Sequence, residues 1–207
     1  GRFDRETIDV TTPRGVFSRD ETVRPESSPE SLAELPSVFR TDELAERFPE
    51  AEWSTTAGNS SQITDGASAL LLMSAERARE LELRPRARVR AMVAVGDDPL
   101  LMLTATIPAT HKVLRLAGLT MSDIDHVELN EAFASVPLAW MREFGHVDPS
   151  IVNPRGGAIA LGHPLGASGG RLMTTLIHAL EDSDQQFGMQ LMCEAGGMAN
   201  ATIIERL

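Results

Sequence analysis

The residues with the clearest chemical potential lie in a glycine-rich run at 153–169 (NPRGGAIALGHPLGASG), which contains one histidine, His163. A loop of this composition that leads into a helix lets the backbone approach a bound group and points free N–H groups at it. His163 lies between Gly162 and Pro164, where the helix cannot yet have begun, so we expect its imidazole at the mouth of the loop. A tight turn with a surface histidine is the alternative for a lone histidine.

Two further segments could take part in the same chemistry. Asn130 follows a predicted strand, where an amide can orient a water or donate a hydrogen bond to a developing oxyanion, and Glu131 beside it suits the positive end of a helix dipole. Cys193 ends another apolar strand, and the small-residue turn at 194–197 exposes its sulfur. A thiol with an ordinary pKa near about 8.5 can shuttle protons close to neutral pH. The alternatives are a helix N-cap at Asn130 and a buried, inert cysteine.

The elements that must position these residues follow one another regularly from residue 85 onward. Apolar patterning and turn residues predict a β-α-β-α-β-α-β-β order. The strands are predicted at 88–95, 126–129, 151–152, 188–193 and 198–205, and the helices at 107–117, 131–144 and 167–180. Short crossover helices indicate an α/β fold with a mainly parallel sheet, whose ligands bind at the carboxyl ends of the strands. Asn130, the loop after Val152 and Cys193 all follow strands directly.

The first part of the chain has a different character. Residues 1–57 are polar and rich in proline, and we expect only two short helices there, at 31–39 and 41–48, with Ser28 or Ser31 capping the first and Thr41 beginning the second. At 62–81, apolar residues recur at spacings of three and four. That spacing predicts a long helix with one buried face.

Composition limits the classes of function. Apolar residues make up 42% of the sequence, enough for a substantial core, and the formal net charge is −11, which disfavours electrostatic binding to nucleic acid or to an anionic membrane. The single cysteine excludes an intrachain disulfide framework and a cysteine-rich zinc site, and it predicts a reducing, cytoplasmic compartment. No segment approaches the roughly 18 apolar residues that a membrane-spanning helix needs.

Taken in order, the three segments resemble the thiolase family: NEAF at 130–133, GHPLGASG at 162–169 and C-x-x-G-G at 193–197. The similarity extends to TAGNSS at 56–61, to DGA at 65–67 and more loosely to DETVRP at 20–25. The resemblance implies a duplicated thiolase-like fold of which only the second unit is present. Residues 1–60 would be the tail of an inserted loop domain, 61–84 a helix of the N-terminal unit, and 85–207 the C-terminal thiolase domain.

The activity implied by this resemblance is that of a thiolase-type acyltransferase, as in fatty acid β-oxidation. Such an enzyme cleaves a 3-oxoacyl-CoA with CoA, or runs the reverse Claisen condensation, through an acyl-cysteine that the absent N-terminal half would supply. His163 would take the proton from that nucleophile, Asn130 would hold a water in the oxyanion site, and Cys193 would be the acid/base. Coenzyme A would be a substrate, and no permanently bound cofactor or metal is implied.

The resemblance also implies binding roles. Ser61 would line the pantetheine channel, Arg24 would lie near the nucleotide end of CoA, and Ala132 and Phe133 would border the acyl site. Ala195 and Gly196 belong to the turn whose backbone joins an oxyanion hole. The family commonly has glycine at the position of Ala195, so that donor survives only if alanine tolerates the local conformation.

The partners implied by the resemblance are acyl-CoA, CoA, the N-terminal half and further copies of the chain, as a homodimer or homotetramer. The chain alone is expected to be inactive.

Other interpretations remain open at this point. The absence of a nucleophile here and the presence of Ala195 suggest the alternative of a non-catalytic CoA- or acyl-binding module or scaffold subunit. A ketoacyl synthase relative would need a second catalytic histidine where this chain has Asn130.

Overall fold

A computed structural model describes residue 1 and residues 3–207, which form two compact units at 1–35 and 36–207. The first unit holds a small antiparallel hairpin, β1 (Val10–Thr12) and β2 (Gly15–Phe17), and one helix, α1 (Pro29–Ala33). The Ser28 side chain accepts a hydrogen bond from the Ser31 backbone and caps α1. The predicted helix at 31–39 is wrong in extent, because Pro36 disfavours helical geometry in the residue before it.

The second unit carries the sheet and the remaining helices. Its strands are β3 (Ala87–Gly96), β4 (His126–Leu129), β5 (Phe187–Glu194) and β6 (Met198–Arg206). Its α-helices are α2 (Asp42–Arg47), α3 (Ala75–Glu80), α4 (Thr106–Ala117), α5 (Ser135–Glu143), α6 (Ala158–Leu161) and α7 (Ser168–Asp182). Thr41 caps α2, as its position in the sequence predicts. Among the described residues, no helix is long and apolar enough to cross a membrane.

The four strands lie in the order β3-β6-β5-β4. β4 and β5 pair in parallel, whereas β6 is antiparallel to both of its neighbours. Three strands therefore run in one direction, as a mainly parallel sheet requires, but the sheet is mixed. The reversed strand arises because β5 and β6 are joined by a tight hairpin turn, which returns the chain antiparallel and places β6 between β5 and β3.

The strand expected at 151–152 is reduced to one bridge, between Val127 and Val152. Hydrogen bonds from the side chain of Asn153 take the place of further backbone hydrogen bonds between this segment and β4. The Asn153 side chain accepts a hydrogen bond from the Leu129 backbone nitrogen at 2.8 Å and donates one to the Leu129 carbonyl at 2.9 Å. The chain then leaves the sheet at Asn153, whose φ is +47°.

Helices cover both faces of the sheet. On one face, α4 and α5 bury a cluster that contains Val113, Trp140, Leu129, Leu191 and Ile203. On the other, α7 packs Leu176 and Leu180 against Ile204. Because both faces of β4 and β5 are covered, most of their side chains are buried, and the ends of the strands are held rigidly.

α5 begins later than predicted, at Ser135 instead of residue 131. Residues 131–134 are held out of the helix by the segment before residue 62: Phe133 pairs with Ser60, and the Ser61 backbone nitrogen donates to the Ala132 carbonyl at 3.0 Å. A tertiary strand-like contact has replaced the first turn of the helix.

The predicted helix at 62–81 is wrong. Only α3, at its end, is helical, and Leu71 and Leu72 are 80% and 72% exposed. Residues before α3 instead bond to the glycine-rich loop: the Gln62 carbonyl accepts from the His163 backbone nitrogen, and the Ser68 hydroxyl donates to the Ala167 carbonyl. An amphipathic helix is stabilised mainly by packing of its apolar face, and this stretch has no core to pack against in the described chain.

Candidate active site

Three side chains that lie far apart in the sequence meet at the carboxyl ends of β4 and β5. The Asn130 amide nitrogen lies 3.4 Å from His163 Nε2 and 3.8 Å from Cys193 Sγ. The Cys193 thiol also donates to the Asn130 carbonyl oxygen at 3.7 Å. The imidazole, the amide and the sulfur therefore form one cluster, as the strand-end argument predicts.

The imidazole of His163 is fixed from its other side. Its Nδ1 lies 2.5 Å from Ser168 Oγ, and that hydroxyl donates to the Pro164 carbonyl at 3.0 Å. Because the hydroxyl proton is directed at the Pro164 carbonyl, the Ser168 oxygen accepts a hydrogen bond from the N–H group at Nδ1 of His163. This tautomer leaves the lone pair of Nε2 facing the Asn130 amide, in the position of a general base.

Electrostatics keep this base uncharged. Burial lowers the pKa of His163, and the positive charge of Arg171 lowers it further. A histidine whose pKa lies below its ordinary value is neutral at pH 7, so Nε2 is available to accept a proton.

Asn130 has an acceptor to spare. The residue is fully buried, and its Oδ1 has no hydrogen-bond partner among the described residues. A buried amide oxygen without a partner is costly unless a bound water or ligand donates to it. Asn130 can therefore hold such a group beside His163.

Cys193 is suited to donate a proton. Its side chain is 8% exposed, and burial raises the pKa of the thiol, partly opposed by the hydrogen bond from Asn130. The thiol is consequently protonated at neutral pH. It can give up its proton when negative charge develops next to it, and recover it afterwards.

The turn after Cys193 resolves the question that the sequence raises about Ala195. Gly196 and Gly197 have φ of +84° and +79°, whereas Ala195 is not among the residues with positive φ. Alanine therefore tolerates its conformation here, and its backbone N–H is retained. Gly197 is required, since a Cβ there would lie 2.7 Å from the Asp97 carbonyl oxygen.

The structure places the predicted binding residues differently from one another. Ser61 shares a pocket of about 270 Å³ with His163 and Leu165. Phe133 lines a separate pocket of about 380 Å³ together with Phe39 and the 100–104 segment, and Ala132 is bonded to Ser61. Arg24 lies in the first unit with its side chain exposed, and its role stays a prediction.

Two other side chains, those of Ser168 and Glu131, have roles near the cluster that the local sequence pattern did not predict. Ser168, which orients His163, stands five residues after it in the same loop and could have been suspected from that spacing. Glu131 does not serve the N-terminus of α5, as its position suggested. Its carboxylate accepts from Asn153 Nδ2 at 2.8 Å and from the Ile159 backbone nitrogen at 3.2 Å, which ties the start of α6 to β4.

Neither the charge nor the geometry of this cluster indicates a metal centre. Among the described residues, no group of three or more histidine, cysteine, aspartate or glutamate side chains is arranged to hold a metal ion. What the cluster provides is a neutral base, a protonated thiol and an amide that together can move protons and stabilise an oxyanion.

Family comparison assigns these residues to a known fold. Residues 83–206 match the model of the thiolase C-terminal domain, and residues 1–76 match that of the thiolase N-terminal domain. The chain belongs to the thiolase family. The steroid 3-ketoacyl-CoA thiolase FadA6 of Mycobacterium tuberculosis is 49% identical over the whole chain, which covers 48% of that relative. The 3-ketoacyl-CoA thiolase of Aeromonas salmonicida is 46% identical over the whole chain and is covered to 53%.

Solved structures show the same fold. The Bacillus anthracis acetyl-CoA acetyltransferase superposes with a TM-score of 0.83 at 37% identity, over 97% of this chain and 49% of that protein. Human mitochondrial 3-ketoacyl-CoA thiolase in complex with CoA superposes with a TM-score of 0.79 at 36% identity, over 94% of this chain and 46% of that protein. The chain thus spans about half the length of the curated relatives that it matches.

Proposed function

We propose that this chain is the C-terminal part of a thiolase-type acyltransferase, which cleaves a 3-oxoacyl-CoA with CoA or runs the reverse condensation. The observation that carries the proposal is the convergence of His163 Nε2, the Asn130 amide and Cys193 Sγ within 3.4 to 3.8 Å. The relatives named as 3-ketoacyl-CoA thiolases support it. Cleavage as in fatty acid β-oxidation is the direction that those names favour.

The nucleophile would come from outside the chain. Cys193 is the only cysteine in the sequence, and its raised pKa suits an acid better than a nucleophile. The missing N-terminal half would supply a second cysteine. The exposed apolar side chains of Leu70, Leu71 and Leu72, which have no core to pack against here, are a suitable surface for that half to cover.

The first half-reaction would use both proton-transfer groups. His163 Nε2 takes the proton of the nucleophilic cysteine in the N-terminal half, and the sulfur of that cysteine attacks the 3-oxo carbon. The bond between the α and β carbons then breaks, and the electron pair leaves as an acetyl-CoA enolate. Cys193 protonates that carbon, and the nucleophilic sulfur retains the shortened acyl group.

The second half-reaction restores each group. The Cys193 thiolate takes the proton of a CoA thiol, which attacks the acyl carbon and displaces the nucleophilic sulfur. The displaced thiolate recovers its proton from His163. The unpartnered Oδ1 of Asn130 would hold a water that donates to the thioester oxygen as negative charge develops.

Binding roles follow the pockets. Ser61, in the pocket that contains His163, would line the pantetheine channel. By the family resemblance, Arg24 would lie near the nucleotide end of CoA. Ala132 and Phe133 would border the acyl site, with the apolar pocket beside Phe133 receiving the acyl chain. The backbone at Ala195 and Gly196 would complete the oxyanion hole.

The test is CoA-dependent loss of acetoacetyl-CoA, measured on this chain joined to, or co-expressed with, a thiolase N-terminal half. Replacing His163 with alanine should abolish turnover, because His163 is the base to which the proposal assigns the proton of the nucleophile. His146→Ala, at an exposed histidine, is the matched control and should retain activity. Turnover retained by the His163 variant would refute the assigned role.

A non-catalytic CoA-binding or scaffold subunit is the second candidate, and the names of the relatives do not favour it. It would bind CoA without turnover even when complemented. We also propose that the protein is cytoplasmic and works as a homodimer or homotetramer, without nucleic acid or membrane partners and without a resident cofactor. The single cysteine and the net charge of −11 support the compartment and the excluded partners.

A further inference from the structure

The helix that leads to His163 is too short to hold itself in place. α6 spans only Ala158–Leu161, and His163 follows it after Gly162. A single helical turn fixes several residues for very few hydrogen bonds, so it forms where its surroundings support its ends. Its N-cap residue is Gly157, which has no side chain to cap it. The position of the imidazole therefore depends on the contacts that other segments make with α6.

Gln62 supports the end of α6 that lies next to the histidine. Its side-chain nitrogen donates to the carbonyl oxygens of Ile159 and Ala160 at 3.1 and 3.3 Å. Its backbone carbonyl accepts from the His163 backbone nitrogen at 3.1 Å. One residue thus joins the last carbonyls of α6 to the backbone of the candidate base.

The Glu131 carboxylate supports the other end of α6. Its Oε2 accepts from the Ile159 backbone nitrogen at 3.2 Å, which is the bond that an N-cap side chain would ordinarily make. Its Oε1 accepts from Asn153 Nδ2 at 2.8 Å. A Cβ at Gly157 would overlap this carboxylate, although the φ of −101° there suits any residue. Glycine is therefore required at 157 by the close approach of Glu131.

Glu131 and Asn153 also hold the chain on both sides of Asn130. The Asn153 amide bonds to the backbone nitrogen and the carbonyl of Leu129, and Glu131 is the residue directly after Asn130. Residues 129 and 131 are therefore tied to the loop that carries His163. This hydrogen-bonded frame spans the 3.4 Å contact between Asn130 Nδ2 and His163 Nε2.

We propose, building on the proposed function, that Glu131 is a positioning residue that sets the distance between the Asn130 amide and the His163 imidazole. Without its carboxylate, the Ile159 backbone nitrogen loses its acceptor, and α6 is free to move away from the end of β4. The base and the group that would hold the oxyanion water then separate, so the two no longer act on one substrate in the aligned geometry that catalysis needs. Glu131 acts through the backbone that carries these two side chains.

The distance is tested by NMR in the chain as it stands. The nuclear Overhauser effect between the Asn130 side-chain amide protons and the His163 ring protons should be present in the wild type and lost in Glu131→Ala. Glu131→Gln, which keeps the shape of the side chain and one acceptor oxygen, is the milder variant and should show the same effect weakened.

Asp125→Ala is the matched control. Asp125 Oδ2 accepts from the backbone nitrogens of Gln186 and Phe187 at 2.9 and 2.8 Å, at the opposite end of β4 from Glu131. Its replacement removes a comparable pair of hydrogen bonds from the same strand without touching α6. The Overhauser effect between Asn130 and His163 should therefore persist in this variant.

Gly157→Ala supplies an independent arm that leaves the carboxylate in the sequence. The new methyl group would displace the Glu131 carboxylate, so this variant should lose the same Overhauser effect as Glu131→Ala. In the double variant the methyl group occupies space that the carboxylate has vacated. Its spectrum and turnover should therefore match those of Glu131→Ala alone, because the two substitutions act on one contact and their effects do not add.

Turnover in the complemented enzyme separates positioning from stability. Glu131→Ala and Gly157→Ala should each lower kcat by roughly tenfold to a hundredfold with KM little changed, since a misplacement of about 1 Å can cost about a hundredfold. An Overhauser effect that persists in Glu131→Ala, a kcat equal to that of Asp125→Ala, or additive losses in the double variant would overturn the inference. The NMR readouts need no turnover, so their failure is distinct from failure of the acyltransferase proposal, which the acetoacetyl-CoA assay of the wild type tests.

Discussion

Replacing Ser168 with alanine removes the contact that fixes the orientation of the His163 imidazole. Ser168 is fully buried, and its hydroxyl accepts from His163 Nδ1 and donates to the Pro164 carbonyl. A methyl group in that place leaves a buried imidazole N–H without an acceptor. We therefore expect both stability and catalysis to fall.

The magnitude follows from the cost of an unpaired buried donor, which is about 1–3 kcal/mol. The free energy of unfolding should fall by about that amount. If the imidazole rotates so that Nε2 no longer faces the Asn130 amide, turnover should fall by roughly tenfold to a hundredfold, since about 1.4 kcal/mol corresponds to a factor of ten. Turnover is measured by loss of acetoacetyl-CoA in the complemented enzyme, and stability by urea denaturation of the chain.

The matched control is Thr174→Ala on the same helix. Thr174 Oγ1 donates to the Gly170 carbonyl at 2.8 Å, which is the same bond to the fourth preceding residue that Ser168 makes, but it does not touch the imidazole. Its loss should affect stability alone. ¹⁵N chemical shifts of His163 report the tautomer directly, and a Ser168→Ala variant whose shifts and turnover match those of Thr174→Ala would refute the reasoning.

Three further perturbations have definite outcomes. Because burial raises the pKa of the Cys193 thiol, its alkylation by iodoacetamide should stay slow at pH 7 and accelerate only above the ordinary thiol range, and an alkylation rate that levels off below pH 8 would contradict this. Gly162 has a φ of +88°, and a Cβ there would lie 2.0 Å from Thr64 Oγ1. Gly162→Ala should therefore lower the free energy of unfolding, measured by urea denaturation, by at least about 2 kcal/mol. Gly166→Ala is the control and should lower it little, because the space around Gly166 is open. Burial raises the pKa of Glu128 to about 8, whereas in the unfolded chain this carboxyl loses its proton from about pH 4.5. The free energy of unfolding should therefore decrease as the pH rises from about 4.5 to about 8. Glu128→Gln should remove that part of the decrease.

The sequence alone determined most of the secondary structure of residues 85–207 and the location of the candidate active site. β4, for example, spans the residues predicted for it, because alternation, turn residues and helix stops are local signals that the tertiary structure here reinforces. The convergence of Asn130, His163 and Cys193 could also be predicted, because parallel strands bring their carboxyl ends to one edge of the sheet. The residues that the family resemblance singled out were the same ones.

Only the tertiary structure decided the features that depend on which partner a segment meets. The apolar spacing at 62–81 shows that one face can be buried, but not that a core is available to bury it, and the chain there binds the glycine-rich loop instead. The placement of β6 between β3 and β5 and the contact of Glu128 with Arg171 both join residues that are distant in the sequence. Hydrophobic periodicity indicates which positions of one helix or strand are suited to burial, but it carries no information about which other segment packs against them.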